Sequence, residues 1–472
     1  MEQNKINFLT RDNEAIIAQC TPKGSGAIAV LRLSGQNTVF VADKIAKLSS
    51  GKKLQNCSSH TINHGYVINH GSKEIIDEVL FLFMQAPKTF TGQDTVEINC
   101  HNNAYIIEQI INQAIKAGAR LADRGEFTKR AFLNNKIDLI QAEAINEIIN
   151  AQTENALRKS MSQLHGSLSF YLQNLQEDIV GLLAVAESSF EFLEEEHQAL
   201  DINNIFKDKI LKILSNLEEI KNNFNQQQQI KNGIKISIIG GVNLGKSTLF
   251  NTLAKQDRAI VTDIAGTTRD VIETSIYKNG NFWLLTDTAG LRQTEDIIEK
   301  EGIEKAWQQA SLADIILLVF DLSKNLSEQQ LEIYKNIIEK HENKIIFVGN
   351  KFDRENNAVL DKLNFLTNKK FIKISALNKT GISDLESEIE IKIQDLFAKL
   401  QSPFLLNQRQ HNLILELESK LKFIENSFAK NIEYELIAYH LKDILERLSE
   451  LTGKNVTEKV LDRVFLDFCV GK

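Results

Sequence analysis

The clearest chemistry in the chain sits in eight consecutive residues, Gly240-Gly241-Val242-Asn243-Leu244-Gly245-Lys246-Ser247, which spell G-x-x-x-x-G-K-[ST]. Glycines at these positions let backbone N–H groups converge on phosphate oxygens, and a following helix adds the positive end of its dipole. The run before the motif reads as a strand and Thr248–Leu253 as a helix, which is the context the motif requires. Lys246 is placed to reach β- and γ-phosphates, and Ser247 to ligate Mg²⁺. Four further elements follow in order. Asp263-Ile264-Ala265-Gly266-Thr267-Thr268-Arg269-Asp270 reads as a switch-like loop in which Thr268 completes a Mg²⁺ shell. Asp287-Thr288-Ala289-Gly290 ends an apolar strand and sets a carboxylate near the metal and a glycine N–H near the γ-phosphate. Asn350-Lys351-Phe352-Asp353 ends another, and its Asp can accept two hydrogen bonds from guanine. Adenine lacks that donor pair, so the carboxylate would be left unmatched. Ser375-Ala376-Leu377 supplies a backbone N–H to guanine O6. Each short element is weak alone; the five in sequence predict a GTP site. Leu291, after Gly290, is apolar where a Ras-like enzyme orients water with Gln, so another polar group must serve. Glu299 is the candidate, and by position alone it reads first as a solvated helix glutamate.

The elements that must hold these residues alternate. Ile236–Ile239, Phe282–Leu285, Ile315–Phe320, Ile345–Val348 and Phe371–Ile374 are short apolar runs, separated by helical segments such as Ile298–Gln309 and Glu328–Lys340. That alternation predicts a mostly parallel α/β sheet over residues 231–398. Ahead of it, residues 1–136 read as an α+β domain, with strands at Ala27–Leu33, Glu78–Phe83 and Thr95–Asn99 and a helix at Asn103–Ala117. Residues 137–230 and 399–472 read as helical, with Gln226–Gln229 at a helix end and linker. The two helical zones would pack as one all-α domain, into which the α/β P-loop unit is inserted.

At 472 residues, a prior of roughly 100–200 residues per domain suggests about three domains. A net charge of −7 argues against a bulk electrostatic grip on nucleic acid. Lys116, Arg120, Arg124, Lys129, Arg130 and Lys136 nevertheless form a basic stretch that reads equally as a tRNA-facing patch or a solvated face. Cys20, Cys57, Cys100 and Cys469 are widely spaced, which points to a reducing cytoplasm and away from zinc or disulfides. No apolar run reaches transmembrane length, and Met1–Thr10 has no apolar h-region, so neither a membrane span nor a signal peptide is expected.

The chain resembles the MnmE/TrmE family of tRNA-modifying GTPases over nearly its whole length. The resemblance rests on the P-loop with Asn243, on Asp263–Asp270, and on Asp287–Gly290 followed by Leu-Arg. Outside that region it rests on Phe90-Thr91-Gly92-Gln93-Asp94, on Gly125-Glu126-Phe127 with Arg130-Ala131-Phe132-Leu133-Asn134, and on Cys469-Val470-Gly471-Lys472. It implies a GTPase activated by K⁺ and by dimerisation of its G domains. Asn243, Thr262, Ile264 and Thr267 match the K⁺ ligands, and Glu299 the general base acting through water. It also implies a reduced folate (5,10-methylene- or 5-formyl-tetrahydrofolate) bound in the N-terminal domain, with Arg32, Glu97, Lys136 and Lys472 at the matching positions. Cys469 is a candidate catalytic thiol. The implied reaction adds an aminomethyl or carboxymethylaminomethyl group to C5 of the wobble uridine of certain tRNAs. The implied partners are a second copy of the chain and, in a heterotetramer, an FAD-dependent MnmG-type flavoprotein. The competing reading is a ribosome-assembly switch of the Era/Der type. The G-domain motifs do not separate the two readings; the N-terminal motifs and the Cys-Val-Gly-Lys tail favour modification.

Overall fold

A computed structural model describes residues 13–188, 196–222, 224, 233–241, 243–256, 273–287, 310–325, 328–354, 356, 359, 371–398, 402, 404–428 and 434–472. The chain forms two compact units: Met1–Asn146 with Gln163–Ile210 and Lys420–Lys472, and Glu147–Ser162 with Leu211–Ser419.

In the first unit, β1 (Ile16–Gln19), β2 (Ile28–Ser34), α1 (Thr38–Ile45), β3 (Ala46–Leu48), β4 (Thr61–Ile68), β5 (Ile75–Met84), β6 (Thr95–His101), α2 (Ala104–Ala117), β7 (Arg120–Leu121) and α3 (Glu126–Leu133) follow one another. The strands make a seven-stranded sheet in the order β3-β4-β5-β6-β2-β1-β7. Only the β1–β7 pair is parallel. Alternation sets its two faces: Val79, Phe81 and Phe83 of β5 are buried, whereas Glu78 and Leu80 point outward. The inner face packs with Val41, Ala42, Ile45, Ile107, Ile110 and Ala114 of α1 and α2. Each such Val or Ile side chain contributes about 1.5–3 kcal/mol relative to exposure. Helix α2 starts where Asn103 accepts from the N–H groups of Tyr105 and Ile106, and stops at Gly118, whose φ of 116° lies in the left-handed region.

The chain continues as α4 (Leu139–Asn150), α5 (Glu154–Leu164), α6 (Ser167–Ser188) and α7 (Glu196–Asn222). A capping box opens α4: Gln141 N–H donates to Asp138 Oδ1 at 2.8 Å, and Asp138 N–H to Gln141 Oε1 at 2.9 Å. Next come β8 (Ile234–Ile239), α8 (Lys246–Gln256), β9 (Glu273–Lys278), β10 (Asn281–Asp287), β11 (Ile315–Asp321), α9 (Glu328–His341), β12 (Ile345–Asn350), β13 (Ile372–Lys373) and α10 (Ile382–Ala398). These strands form the second unit's sheet in the order β13-β12-β11-β8-β10-β9, parallel except for β9. Every residue of β11 and β12 is buried because both faces are covered. Ile315, Leu317 and Val319 enter one core, and Ile316, Leu318 and Phe320 the other.

Helices α11 (Gln408–Phe428), α12 (Tyr434–Thr452) and α13 (Glu458–Leu466) complete the chain. Within the first unit α6 packs along α12. Leu168, Leu172, Leu175, Ile179 and Leu182 are buried at helical spacing on α6, as are Ile437, Leu441, Ile444 and Leu448 on α12. The expected helix Ile298–Gln309 and the Gln226–Gln229 linker lie outside the described residues. The expected strand Phe371–Ile374 shortens to Ile372–Lys373, with only two register positions on β12.

Candidate functional site

The phosphate-loop motif joins β8 to α8. Two of its residues adopt positive φ, Asn243 at 62° and Gly245 at 86°. A Cβ on Gly245 would run into the Asn350 amide, so this position is closed to a side chain on both counts. Leu244 is buried in the sheet core, which explains an apolar residue inside the loop. Lys246 is buried, and its Nζ donates to the Gly241 carbonyl at 2.6 Å. Ser247 and Thr248 are exposed at the start of α8.

Strands β11 and β12 bring the Asn350-Lys351-Phe352-Asp353 segment to this loop. Asn350 Nδ2 donates to the Leu244 carbonyl at 2.8 Å, while Asn350 Oδ1 accepts from the Ala376 N–H at 3.0 Å. Lys351 Nζ donates to the Asn243 carbonyl at 3.0 Å and to Asp321 Oδ2 at 2.6 Å. The Ser375 hydroxyl donates to Asp353 Oδ1 at 2.6 Å, and the Ser375 and Thr380 backbones bond each other at 3.0 and 3.2 Å. Leu377 is exposed beyond that turn. The structure therefore brings together Asn243, Leu244, Gly245, Lys246, Asn350, Lys351, Asp353, Ser375 and Ala376. Asp287 ends β10 in register with Ile238 of β8. Thr262, Asp263, Ile264, Ala265, Gly266, Thr267, Thr268, Thr288, Ala289, Gly290, Leu291 and Glu299 lie outside the described residues.

Asp321 was not singled out from the sequence. It ends the fully buried strand β11 and sits beside Asn350 in register. Burial alone would raise its carboxyl, but bonds from Lys351 and Ser323 outweigh burial and hold it below the usual carboxylate range. An ionised Asp321 thus keeps the Lys351 ammonium over the loop. The available signal was an Asp closing an otherwise apolar strand, a weak one because such residues often only end strands.

A second cluster lies in the first unit. Arg32 on β2 and Glu97 on β6 are register partners, with Arg32 Nε donating to Glu97 Oε1 at 2.8 Å. The guanidinium lies 5.7 Å from the Phe90 ring centroid and 5.5 Å from that of Phe127. Lys136 packs its stem by Gly92, and its Nζ donates to the Pro87 carbonyl at 3.0 Å. The Cys469–Lys472 turn is docked, not frayed. Gly125 N–H donates to the Cys469 carbonyl at 3.3 Å and Phe127 N–H to the Lys472 carbonyl at 3.1 Å, serving amides at the start of α3 that no side chain caps. The Cys20 thiol donates to the Gly471 carbonyl at 3.1 Å. Burial pushes the Cys20 thiol up; Arg32 opposes this, Glu97 adds to it and Lys472 opposes it. These three predicted positions therefore gather around a cysteine that sequence reasoning passed over. Cys469 is exposed.

The basic stretch resolves differently. Arg120 pairs with Glu14 at 2.8 Å and with Glu126 at 2.5 Å, and Lys129 with Asp462 at 2.8 Å. Arg130 is 1% exposed; it reaches Glu126 at 2.9 Å, the Glu14 carbonyl at 2.7 Å and Gln93 Oε1 at 3.0 Å. Two of these six cations are thus paired with acids and a third is a buried hub, so the run is not one uniform solvated cationic face. The Gly125-Glu126-Phe127 and Arg130 signature ties α3 to β1, β2 and the loop at Gln93.

A glycine-rich loop between a parallel strand and a helix, cross-bonded to an Asn-Lys-x-Asp segment and a Ser-Ala turn, defines a P-loop nucleotide-binding protein of the guanine-reading class. Two family models match: the GTP-binding protein TrmE N-terminus over residues 15–136 and the MnmE helical domain over residues 139–469. The tRNA modification GTPase MnmE of Aquifex aeolicus is 38% identical over 97% of this chain and 100% of its own length. The proteins of that name from Lachnoclostridium phytofermentans and Bacillus subtilis are 37% and 36% identical, each over 97% of this chain and 99% and 100% of their own. The chain belongs to the MnmE family.

Proposed function

We propose that this chain is a GTP hydrolase of tRNA modification. With a reduced folate and an FAD-dependent MnmG-type partner, it adds an aminomethyl or carboxymethylaminomethyl group to C5 of wobble uridine in the cytoplasm. One observation supports the reading: the chain holds both an Asp353 carboxylate, bonded by Ser375 and suited to guanine's N–H donors, and a second cluster of Arg32, Glu97 and the docked Cys469–Lys472 turn. An Era/Der-type switch needs only the first.

The folate assignment fits the groups present. The Arg32 guanidinium suits the carboxylates of a folate tail, and the Glu97 carboxylate suits pterin N–H donors. Asn99 Oδ1, on the same face of β6 as Glu97, is buried and accepts no hydrogen bond. Lys136 and Lys472 would complete the site, and the folate supplies the one-carbon unit when bound. Cys469 is the candidate thiol of the transfer. The outer face of the sheet exposes Ile28, Ile62 and Leu80, which supports pairing with a second copy. Mg²⁺ would be held by Ser247 and Thr268, and K⁺ by Asn243, Thr262, Ile264 and Thr267; such cations offset charge on the phosphates. Glu299 would orient the attacking water, replacing the missing Gln at Leu291. Among the described residues no helix is long and apolar enough to cross a membrane.

The test is mass spectrometry of tRNA nucleosides from cells lacking the protein, with GTP turnover of the purified chain measured in KCl and in NaCl. Loss of the C5-modified wobble uridine and faster turnover in KCl are expected. Intact modification together with defective ribosomal subunits would move the protein to the Era/Der reading.

A further inference from the structure

We propose that Tyr334 is a positioning residue for Lys246, acting through the single residue Gly241. The inference rests on the reading of this chain as a GTP hydrolase. Gly241 carries two contacts at once. Its N–H donates to the Tyr334 hydroxyl at 2.8 Å, and its carbonyl accepts from Lys246 Nζ at 2.6 Å. The phenol therefore fixes the residue on which the phosphate-binding ammonium rests. Tyr334 projects from α9, 93 residues away in sequence. It is 5% exposed and meets Phe320 of β11 edge-on, with ring centroids 4.9 Å apart. Its place is thus set by the sheet core and not by the loop.

The later residues of the loop have anchors of their own. Lys351 holds the Asn243 carbonyl and Asn350 the Leu244 carbonyl. A Cβ on Gly240 would meet the Val319 carbonyl at 2.8 Å, so the loop's first residue lies flat against β11. Tyr334 supplies the side-chain bond on the early half of the loop, and Lys351 and Asn350 supply those on the later half. Nζ reaches toward a β- or γ-phosphate from the Gly241 carbonyl, so the accuracy of that reach depends on where Gly241 is held.

Tyr334→Phe keeps the ring and its packing and removes only the hydroxyl. The full-length chain, Tyr334→Phe, Lys246→Ala and the double variant form a double-mutant cycle, read as affinity for a fluorescent GTP analogue. Alone, Tyr334→Phe should weaken binding by about two- to ten-fold, the worth of one net hydrogen bond. In the Lys246→Ala background it should change affinity by less than 1.5-fold, because the group it positions is gone. The melting temperature without nucleotide controls for folding. An equal loss in both backgrounds would mean that the phenol acts only on the fold, and no loss in either would mean that it does not act at all; both overturn the proposal. Turnover of GTP by the unsubstituted chain tests the underlying reading separately.

Discussion

Asp353→Asn should weaken GTP binding by about 10²–10⁴-fold and raise affinity for xanthosine triphosphate. The carboxylate would accept from guanine N1–H and the exocyclic amine, two charge-assisted bonds worth about 1.5–3 kcal/mol each. Asn presents a donor where guanine also presents one. Xanthine carries a carbonyl in place of the amine and so matches the inverted pattern. The substitution leaves the loop anchors in place, because Asn350 and Lys351 make their bonds to Leu244, Asn243 and Asp321 without Asp353. The Ser375 hydroxyl that now donates to Asp353 Oδ1 at 2.6 Å can donate to the Asn carbonyl instead. Titration of both nucleotides against each protein reads the result. An unchanged preference for GTP would remove the guanine assignment.

Glu126→Gln should destabilise the first unit by about 3–5 kcal/mol, the cost of removing one partner from a buried ion pair. Glu126 takes bonds from Arg120 at 2.8 and 2.5 Å, from Arg130 at 2.9 Å and from the Asp123 N–H at 2.8 Å. Its side chain is 5% exposed and that of Arg130 is 1% exposed. Burial pushes the carboxyl up, but Arg120, the Asp123 amide and Arg130 outweigh burial and leave it lowered. A carboxylate whose folded pKa lies below its unfolded value adds stability above the unfolded value and loses it as pH falls through the folded one. The gap between the two proteins should therefore be full at neutral pH and close on acidification below the ordinary glutamate range. Urea unfolding followed across that range measures both features. A loss under 1 kcal/mol at neutral pH, or a gap that widens in acid, would contradict the ion-pair account.

The two kinds of site were legible to different degrees. The phosphate loop, the Asn350–Asp353 segment and the Ser375–Leu377 turn are short contiguous strings, because each does its work with adjacent backbone and side-chain atoms. The strands β11 and β12 were equally plain, since burial on both faces writes nearly unbroken apolar runs. Asp321 bonds Lys351 across 30 residues, Tyr334 bonds Gly241 across 93, and Cys20 bonds Gly471 across 451. No local pattern records such pairings. Helix α1 went unread because it is eight residues long and its N-cap, Asn37, makes no side-chain capping bond. The basic run at Lys116–Lys136 shows the reverse hazard. Its charges look like a surface in one dimension, but the fold spends Arg130 and Arg120 on Glu126.

The docking of Cys469–Lys472 on Gly125, Phe127 and Cys20 has a consequence for biosynthesis. The sheet that carries Arg32 and Glu97 is complete by residue 121, and α3 by residue 133. A nascent chain can therefore build that surface early. The turn that docks beside it is made more than 300 residues later, after the whole nucleotide-binding unit has been synthesised. Without residues 469–472 the Gly125 and Phe127 N–H groups lose these carbonyl acceptors, and Lys472 and the Cys469 thiol are missing from the cluster. Completion of the Arg32–Glu97 cluster thus waits on residues 469–472, whereas the sheet beneath it does not.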